Sequence, residues 1–311
     1  TIREHQPDCL FIDSLSELGV LVNTRYQLRR QLLRLKQLLD SMSCTTLFSA
    51  GEAGDIADGT LETLVHGVIG LEMRSSEFGK PRRRVLMSKM RGVGFPAGYH
   101  DADLLTGGLR VYPRVMAGSA GGGAGELVTS GNAGVDAVLG GGLKTGTTCV
   151  ISGTAGAGKS TLAALYSYAA ALRGVRSSVY CFDERTDTLL TRMNALGMPL
   201  GEHVDAGLIT LRQIDVGSVS PGELSHAIRV DVEEHGSRIV TIDSLSGFLL
   251  SLPREPKLLA HTNELLAYLS EHHGKGGRVS ATEVEHVDLD KVNNFVRDFR
   301  SDRRSGERKY N

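Results

Sequence analysis

The chain contains no tryptophan, and its four cysteines are scattered at Cys9, Cys44, Cys149 and Cys181. No two cysteines form a CxxC pair, so the spacing gives no zinc knuckle and no disulfide framework. Three of the four sit in apolar runs and read as small core residues. That usage fits a reducing compartment, and the cytoplasm is the expected location. No apolar run is long enough to cross a bilayer, and the opening TIREHQPD lacks the pattern of a secretory leader. Charge of one sign is also missing. The formal net charge is -1, so no global field draws the protein to nucleic acid or to an anionic membrane. Arg82-Arg83-Arg84 is a short basic run that reads as a solvated face. Without interleaved aromatics, nothing suggests a single-strand platform.

What remains is an ordinary globular composition of 311 residues, 41% hydrophobic and 23% charged, enough for two domains. Its 38 glycines cluster at 117–124, 138–142 and 153–158. The first cluster reads as a flexible linker, residues 115–126, dividing a domain over 1–114 from another over 127–311.

In the second domain apolar strands and helical stretches alternate. Strands are expected at Thr147–Ser152, Ser177–Phe182, Leu208–Arg212 and Arg238–Asp243. Helices are expected at Ser160–Arg173, Thr186–Ala195, Pro221–His235 and Leu258–Glu271. This alternation predicts an α/β fold with a parallel sheet. After Gly274 the pattern weakens, and no apolar strand is expected in the charged tail. In the first domain, Asp8–Leu15 reads as a buried strand of a parallel sheet. It is followed by a helix at Thr24–Ser41, a strand at Thr45–Ser49, a hairpin of Gly67–Met73 with Arg83–Met90, and a last strand at Leu109–Tyr112. The string Ile-Asp-Ser-Leu-Ser occurs at 12–16 and again at 242–246, each time closing an apolar strand. Such a repeat implies two copies of one domain type.

Gly153-Thr154-Ala155-Gly156-Ala157-Gly158-Lys159-Ser160 fits GxxxxGK[ST], with a strand before it and a helix after it. The glycines let backbone N–H groups curl round phosphates, and the helix adds its dipole. Lys159 is expected to reach the β- and γ-phosphates, and the Ser160 hydroxyl to bind Mg²⁺. Asp243, at the end of a later apolar strand, sits where a second Mg²⁺ ligand belongs. Asp183-Glu184 follow another strand, near the crevice where such sheets bind ligands. Either acid can polarise a nucleophile, and either can equally be a solvated cap of the next helix.

Together these residues resemble the KaiC family. SGNAGVDAVLGGGLKTGTTCVISGTAGAGKST (130–161) is similar to the opening of a KaiC domain. VYCFDERTDTLLTRMNALGM (179–198) resembles its paired-acid stretch, and RIVTIDSLSGF (238–248) its Walker-B strand. DCLFIDSLSEL (8–18) resembles the Walker-B strand of the preceding repeat, with Asp13 as its carboxylate. Residues 82–113 resemble the end of that repeat, including a K-x-R element. The resemblance implies a RecA-like P-loop fold in tandem copies, a homo-hexameric ring and Mg-ATP bound between neighbours by Gly153–Thr161. It implies Glu184 as general base beside Asp183, and Lys89 and Arg91 as a finger reaching the γ-phosphate in the adjacent subunit. It further implies unidentified signalling partners.

On this reading both copies are incomplete. The first starts at its Walker-B strand without its own P-loop, and the second stops before its K-x-R element, as expected of a slice from a longer chain. Clock members of the family autophosphorylate adjacent Ser/Thr in this tail, yet Val287–Phe299 has neither residue. An ATPase is therefore the leading expectation. A serine/threonine autokinase, a recombinase-like DNA-binding module and a nucleotide-binding scaffold without turnover stand as alternatives.

Overall fold

The computed structural model describes residues 2–15, 24–51, 63–75, 79–116, 125–215, 217–250, 258–271 and 279–284. Most of the expected linker and nearly all of the tail beyond 284 lie outside these residues, as does the whole of Val287–Phe299. The fold separates into two compact units. One comprises Thr1–Gly70 with Leu86–Gly98; the other comprises Leu71–Val85 with Tyr99–Asn311.

In the first unit a short helix α1 (Ile2–His5) leads to β1 (Cys9–Ile12), helix α2 (Arg25–Ser41) and β2 (Thr45–Phe48). Thr24 caps α2 by accepting from the Gln27 N–H at 3.2 Å. Leu32 and Leu39 of α2, seven residues apart and so on one helix face, are buried, and Leu15 is also in the core. β1 and β2 run parallel, with Ile12 opposite Phe48. β1 is not the buried strand expected: Phe11 is 61% exposed and Cys9 is exposed. Among the described residues this sheet has only two strands, so one side of each strand has no cover. Cys9 therefore is not a core residue, and Cys149 is only half-buried; Cys181 alone fits that expectation.

The hairpin strands β3 (Gly67–Arg74) and β4 (Arg82–Met90) appear as expected. The inner halves pair antiparallel, since Gly67 lies against Met90 and Gly70 against Leu86. A sheet of order β3-β4-β5-β6 continues through β5 (Tyr99–Leu105) and β6 (Gly108–Tyr112), which are antiparallel. The basic run is not a solvated face. Arg84 donates to Glu72 at 3.1 Å and lies over the Tyr99 ring, 4.5 Å from its centroid.

The second unit is built on a five-stranded parallel sheet. Its strands are β9 (Thr147–Ser152), β10 (Ser177–Cys181), β11 (Ile209–Gln213), β12 (Ile239–Asp243) and β13 (Val279–Val284). Their order is β11-β10-β12-β13-β9, all parallel. The tail thus supplies a strand that sequence reading denied it. β13 lies between the P-loop strand and β12, with Ile242 opposite Thr282. Its composition is mixed rather than apolar, and the ladders on both sides hold it in place.

Before β9 come β7 (Leu127–Val128), helix α3 (Ala133–Val138) and β8 (Leu143–Lys144). Helices α4 (Lys159–Leu172), α5 (Thr186–Ala195), α6 (Leu200–Asp205), α7 (Pro221–Glu233), α8 (Leu245–Leu250) and α9 (Leu258–Glu271) connect and cover the core strands. α4 is Ala-rich, and its buried Ala163, Ala164, Ala169, Ala170 and Ala171 let it lie close to the sheet. One core joins Tyr180, Ile242, Ile228, Leu224 and Leu265; another joins Val179, Leu189, Met193 and Ile209.

β5 and β6 pack within this second unit. The Asp101 carboxylate accepts from the Gly222 N–H at 2.8 Å, at the start of α7. Lys80 donates to Asp103 at 2.9 Å and pairs with Glu223 at 3.5 Å. Val115 joins the core formed around α7. The residues that precede the Gly-rich stretch are thus part of the unit that follows it.

The repeated Ile-Asp-Ser-Leu-Ser marks equivalent structures. β1–α2–β2 and β12–α8–α9–β13 each run from a strand through helix to a parallel neighbouring strand, and in each the Ile of the repeat sits in the paired register. The tandem copies are therefore visible as two βαβ units of a RecA-like α/β fold.

Candidate nucleotide site

The site lies at the carboxyl ends of β9, β10 and β12, where parallel sheets place their ligands. After β9 the chain turns through Gly153–Gly158. The Thr154 carbonyl accepts the Ala157 N–H at 3.1 Å, and the Lys159 Nζ at the same distance. Gly158 has φ +90° and opens α4 with no side-chain cap, while Gly156 has φ +77°. A Cβ at either position would meet nothing within 4 Å, so these two glycines are required by backbone conformation and face open space. An uncapped helix start behind a loop of this shape is an anion site.

β10 and β12 end level with one another, Cys181 opposite Asp243, and the Phe182 N–H donates to the Asp243 carbonyl at 2.6 Å. Asp183 and Glu184 therefore emerge beside Asp243. The Ser244 hydroxyl donates to the Asp183 carboxylate and accepts from the Gly247 N–H at 2.9 Å. A Cβ on Gly247 would lie 2.7 Å from Asp183 Oδ1, so this close approach needs glycine. Lys159 is 6% exposed and Asp243 8%. Burial, with the Asp243 and Glu184 charges, pushes the Cys181 thiol up to about 12, so it stays protonated behind the site.

A cavity of about 840 Å³ brings these groups together. Its lining includes Gly156, Gly158, Lys159, Ser160, Thr161, Asp183, Glu184 and Asp243, all anticipated from sequence. Gly153, Thr154, Ala155 and Ala157, also anticipated, belong to the same turn but are not in that lining. Sequence reading missed Thr188, Arg185, Ala195, Leu196 and, above all, Arg192. Arg192 donates from Nε to Glu184 Oε1 at 3.1 Å and from Nη2 to Oε2 at 2.6 Å. Its Nη1 donates to the Thr161 hydroxyl at 2.8 Å. The signal was an arginine in the last turn of the helix that directly follows the acids.

The remaining anticipated residues lie in the other unit. Asp13 is exposed and accepts from the Ser49 hydroxyl. Lys89 is on β4, and Arg91 just after it donates to the Thr63 carbonyl at 3.0 Å.

The donor set suits Mg²⁺ with a nucleoside triphosphate. One hydroxyl and one carboxylate, Ser160 and Asp243, are hard oxygen ligands for a cation that keeps several waters and shares phosphate oxygens. The fold and site together are those of the RecA-like P-loop class.

Comparison with known proteins makes the class specific. The family model described as "ATPase: KaiC" matches residues 1–116 and 128–273, and the chain belongs to that family. The circadian clock oscillator protein KaiC of Acaryochloris marina is 22% identical over 248 residues, covering 79% of this chain and 48% of its own length. That of Synechococcus elongatus is 23% identical over 249 residues, with the same coverage. A UPF0273 protein of Methanocaldococcus jannaschii is 32% identical over 106 residues, covering 33% of this chain and 42% of its own. The chain spans about half the length of the clock proteins it matches. Among the described residues no helix is long and apolar enough to cross a membrane.

Proposed function

We propose that the second unit binds Mg-ATP and hydrolyses it, within a homo-oligomeric ring of regulatory or signalling duty. The observation that carries this reading is the convergence of Lys159, Ser160, Asp183, Glu184 and Asp243 on one cavity. The triphosphate lies along Gly153–Thr161, with backbone N–H groups and Lys159 neutralising its oxygens. Ser160 and Asp243 would hold the Mg²⁺, which would supply positive charge to the phosphate oxygens. Glu184 accepts a proton from water as the water oxygen bonds to the γ-phosphorus in line. The bond to the bridging oxygen breaks, ADP departs with that electron pair, and phosphate is released. Asp183, held by Ser244, keeps the turn that presents Glu184.

In the assembled ring, Lys89 and Arg91 of one subunit stabilise charge at the γ-phosphate of its neighbour. Glu184→Gln keeps the shape of the base but removes its proton affinity. ATP binding is expected to persist and hydrolysis to fall by at least about 100-fold. Turnover surviving in that variant would overturn the assignment. Phosphopeptides found by mass spectrometry after incubation with ATP would instead favour transfer to a Ser or Thr hydroxyl.

A further inference from the structure

Arg192 lies in the 179–198 stretch that resembles the family's paired-acid segment, and in the structure its guanidinium forks onto one of those acids. Three of its N–H groups are committed there. Two form a parallel fork on Glu184, at 3.1 and 2.6 Å, and the third reaches Thr161 at 2.8 Å. Thr161 immediately follows the Ser160 of the P-loop, on the first turn of α4. Arg192 stands in the last turn of α5, whose start lies two residues beyond Glu184. A single guanidinium therefore ties the carboxylate after β10 to the helix that cradles phosphate.

The fork also fixes orientation. A carboxylate on a turn can rotate freely, but a bidentate guanidinium holds both oxygens in one plane. The remaining lone pairs on those oxygens stay available, since a carboxylate offers about four acceptor sites. The pair is partly open to solvent, with the Arg192 side chain 36% and the Glu184 side chain 25% exposed. Its value is thus in placement rather than in stability.

We propose that Arg192 is a positioning residue for ATP hydrolysis: it aims the general base Glu184 by a bidentate ion pair and indexes it to the P-loop helix through Thr161. This inference rests on the reading of Glu184 as base. As a positioning residue on the wall of the cavity, it is expected to act on the rate of the chemical step more than on ground-state binding.

The test compares Arg192→Ala, Arg192→Lys, Glu184→Gln and the double variant Glu184→Gln/Arg192→Ala in the full chain. Steady-state ATP hydrolysis and equilibrium binding of a fluorescent ATP analogue are both measured. Arg192→Ala is expected to lower kcat by about 10- to 100-fold, with the dissociation constant changed by less than about threefold. Arg192→Lys recovers only part of the loss, because a point charge cannot hold both oxygens. Millimolar guanidinium ion raises the turnover of Arg192→Ala and leaves Glu184→Gln unchanged, a response that a merely structural role would not give. In the Glu184→Gln background, removing Arg192 has no further effect on rate.

Unchanged or increased kcat in Arg192→Ala overturns the proposal. So does a loss of nucleotide binding that matches the loss of rate. Full turnover in Glu184→Gln would instead bring down the underlying assignment of the base, whatever Arg192 does.

Discussion

Two βαβ units carry the same pentapeptide, and they end in different surroundings. In β12–α8–α9–β13 every residue of β12 is buried, because β10 and β13 flank it and helices cover it. In β1–α2–β2 the strands alternate exposed and half-buried, with Phe11 61% and Leu47 52% exposed. The aspartates differ likewise. Asp243 is 8% exposed and lines the nucleotide cavity, whereas Asp13 is exposed and accepts from Ser49. Local sequence specifies the strand, the turn and the position of the carboxylate. Neighbouring strands decide whether that carboxylate becomes part of a desolvated site.

The sharpest way to break the comparison is to remove both aspartates in turn. Asp243→Ala is expected to reduce Mg²⁺-dependent ATP turnover by about 100-fold or more. Asp13→Ala is expected to leave turnover at the P-loop within about twofold. Equal losses would mean that the first copy contributes to the same chemistry.

A smaller effect probes packing. Ile242 is 1% exposed, and Ile242→Ala should cost about 2–5 kcal/mol in the unfolding of the P-loop unit by urea. The matching Ile12 is only half-buried, and Ile12→Ala should cost less than about 1 kcal/mol.

The smallest effect is one of pH. Asp231 is completely buried in the second unit and accepts from Arg212, Tyr180 and His235. Burial alone would raise its carboxyl, but hydrogen bonds from Arg212, Tyr180 and His235 outweigh it and hold the group below the usual carboxylate range. A depressed carboxyl contributes stability above its unfolded value, near pH ~4, and loses it as pH falls through the folded value below that. The thermal midpoint of the P-loop unit should therefore fall steeply below about pH 4. Asp231→Asn should lower the midpoint at neutral pH and flatten that acid slope.

The P-loop, the α/β alternation and the repeat could all be read directly from sequence, because each depends on local pattern. Ser160 and Asp243 were readable for the same reason: a motif fixes one and a strand end fixes the other. What escaped depends on partners distant in the chain. β5 carries Asp101 and Asp103, which look wrong for a strand until α7 and Lys80 take up their charges. β13 looked like a charged tail because its place between β12 and β9 comes from ladders on both sides. The repeat itself held the missing signal. Thr45–Phe48 follows the first pentapeptide and its helix as Val279–Val284 follows the second. Arg192 was invisible for another reason: only the fold shows that the end of α5 turns back toward the acid that precedes it.

The carboxylate that Asp101 lends to the start of α7 makes the glycine-rich stretch a misleading place to cut. Excising the P-loop module at Gly125 would leave the Gly222 N–H without its acceptor and the core around Ile228 without Val115. The division between the two compact units therefore falls within the β3–β4 hairpin. An engineered ATP-binding module should carry its preceding strands with it, as a keystone is lifted together with its springers.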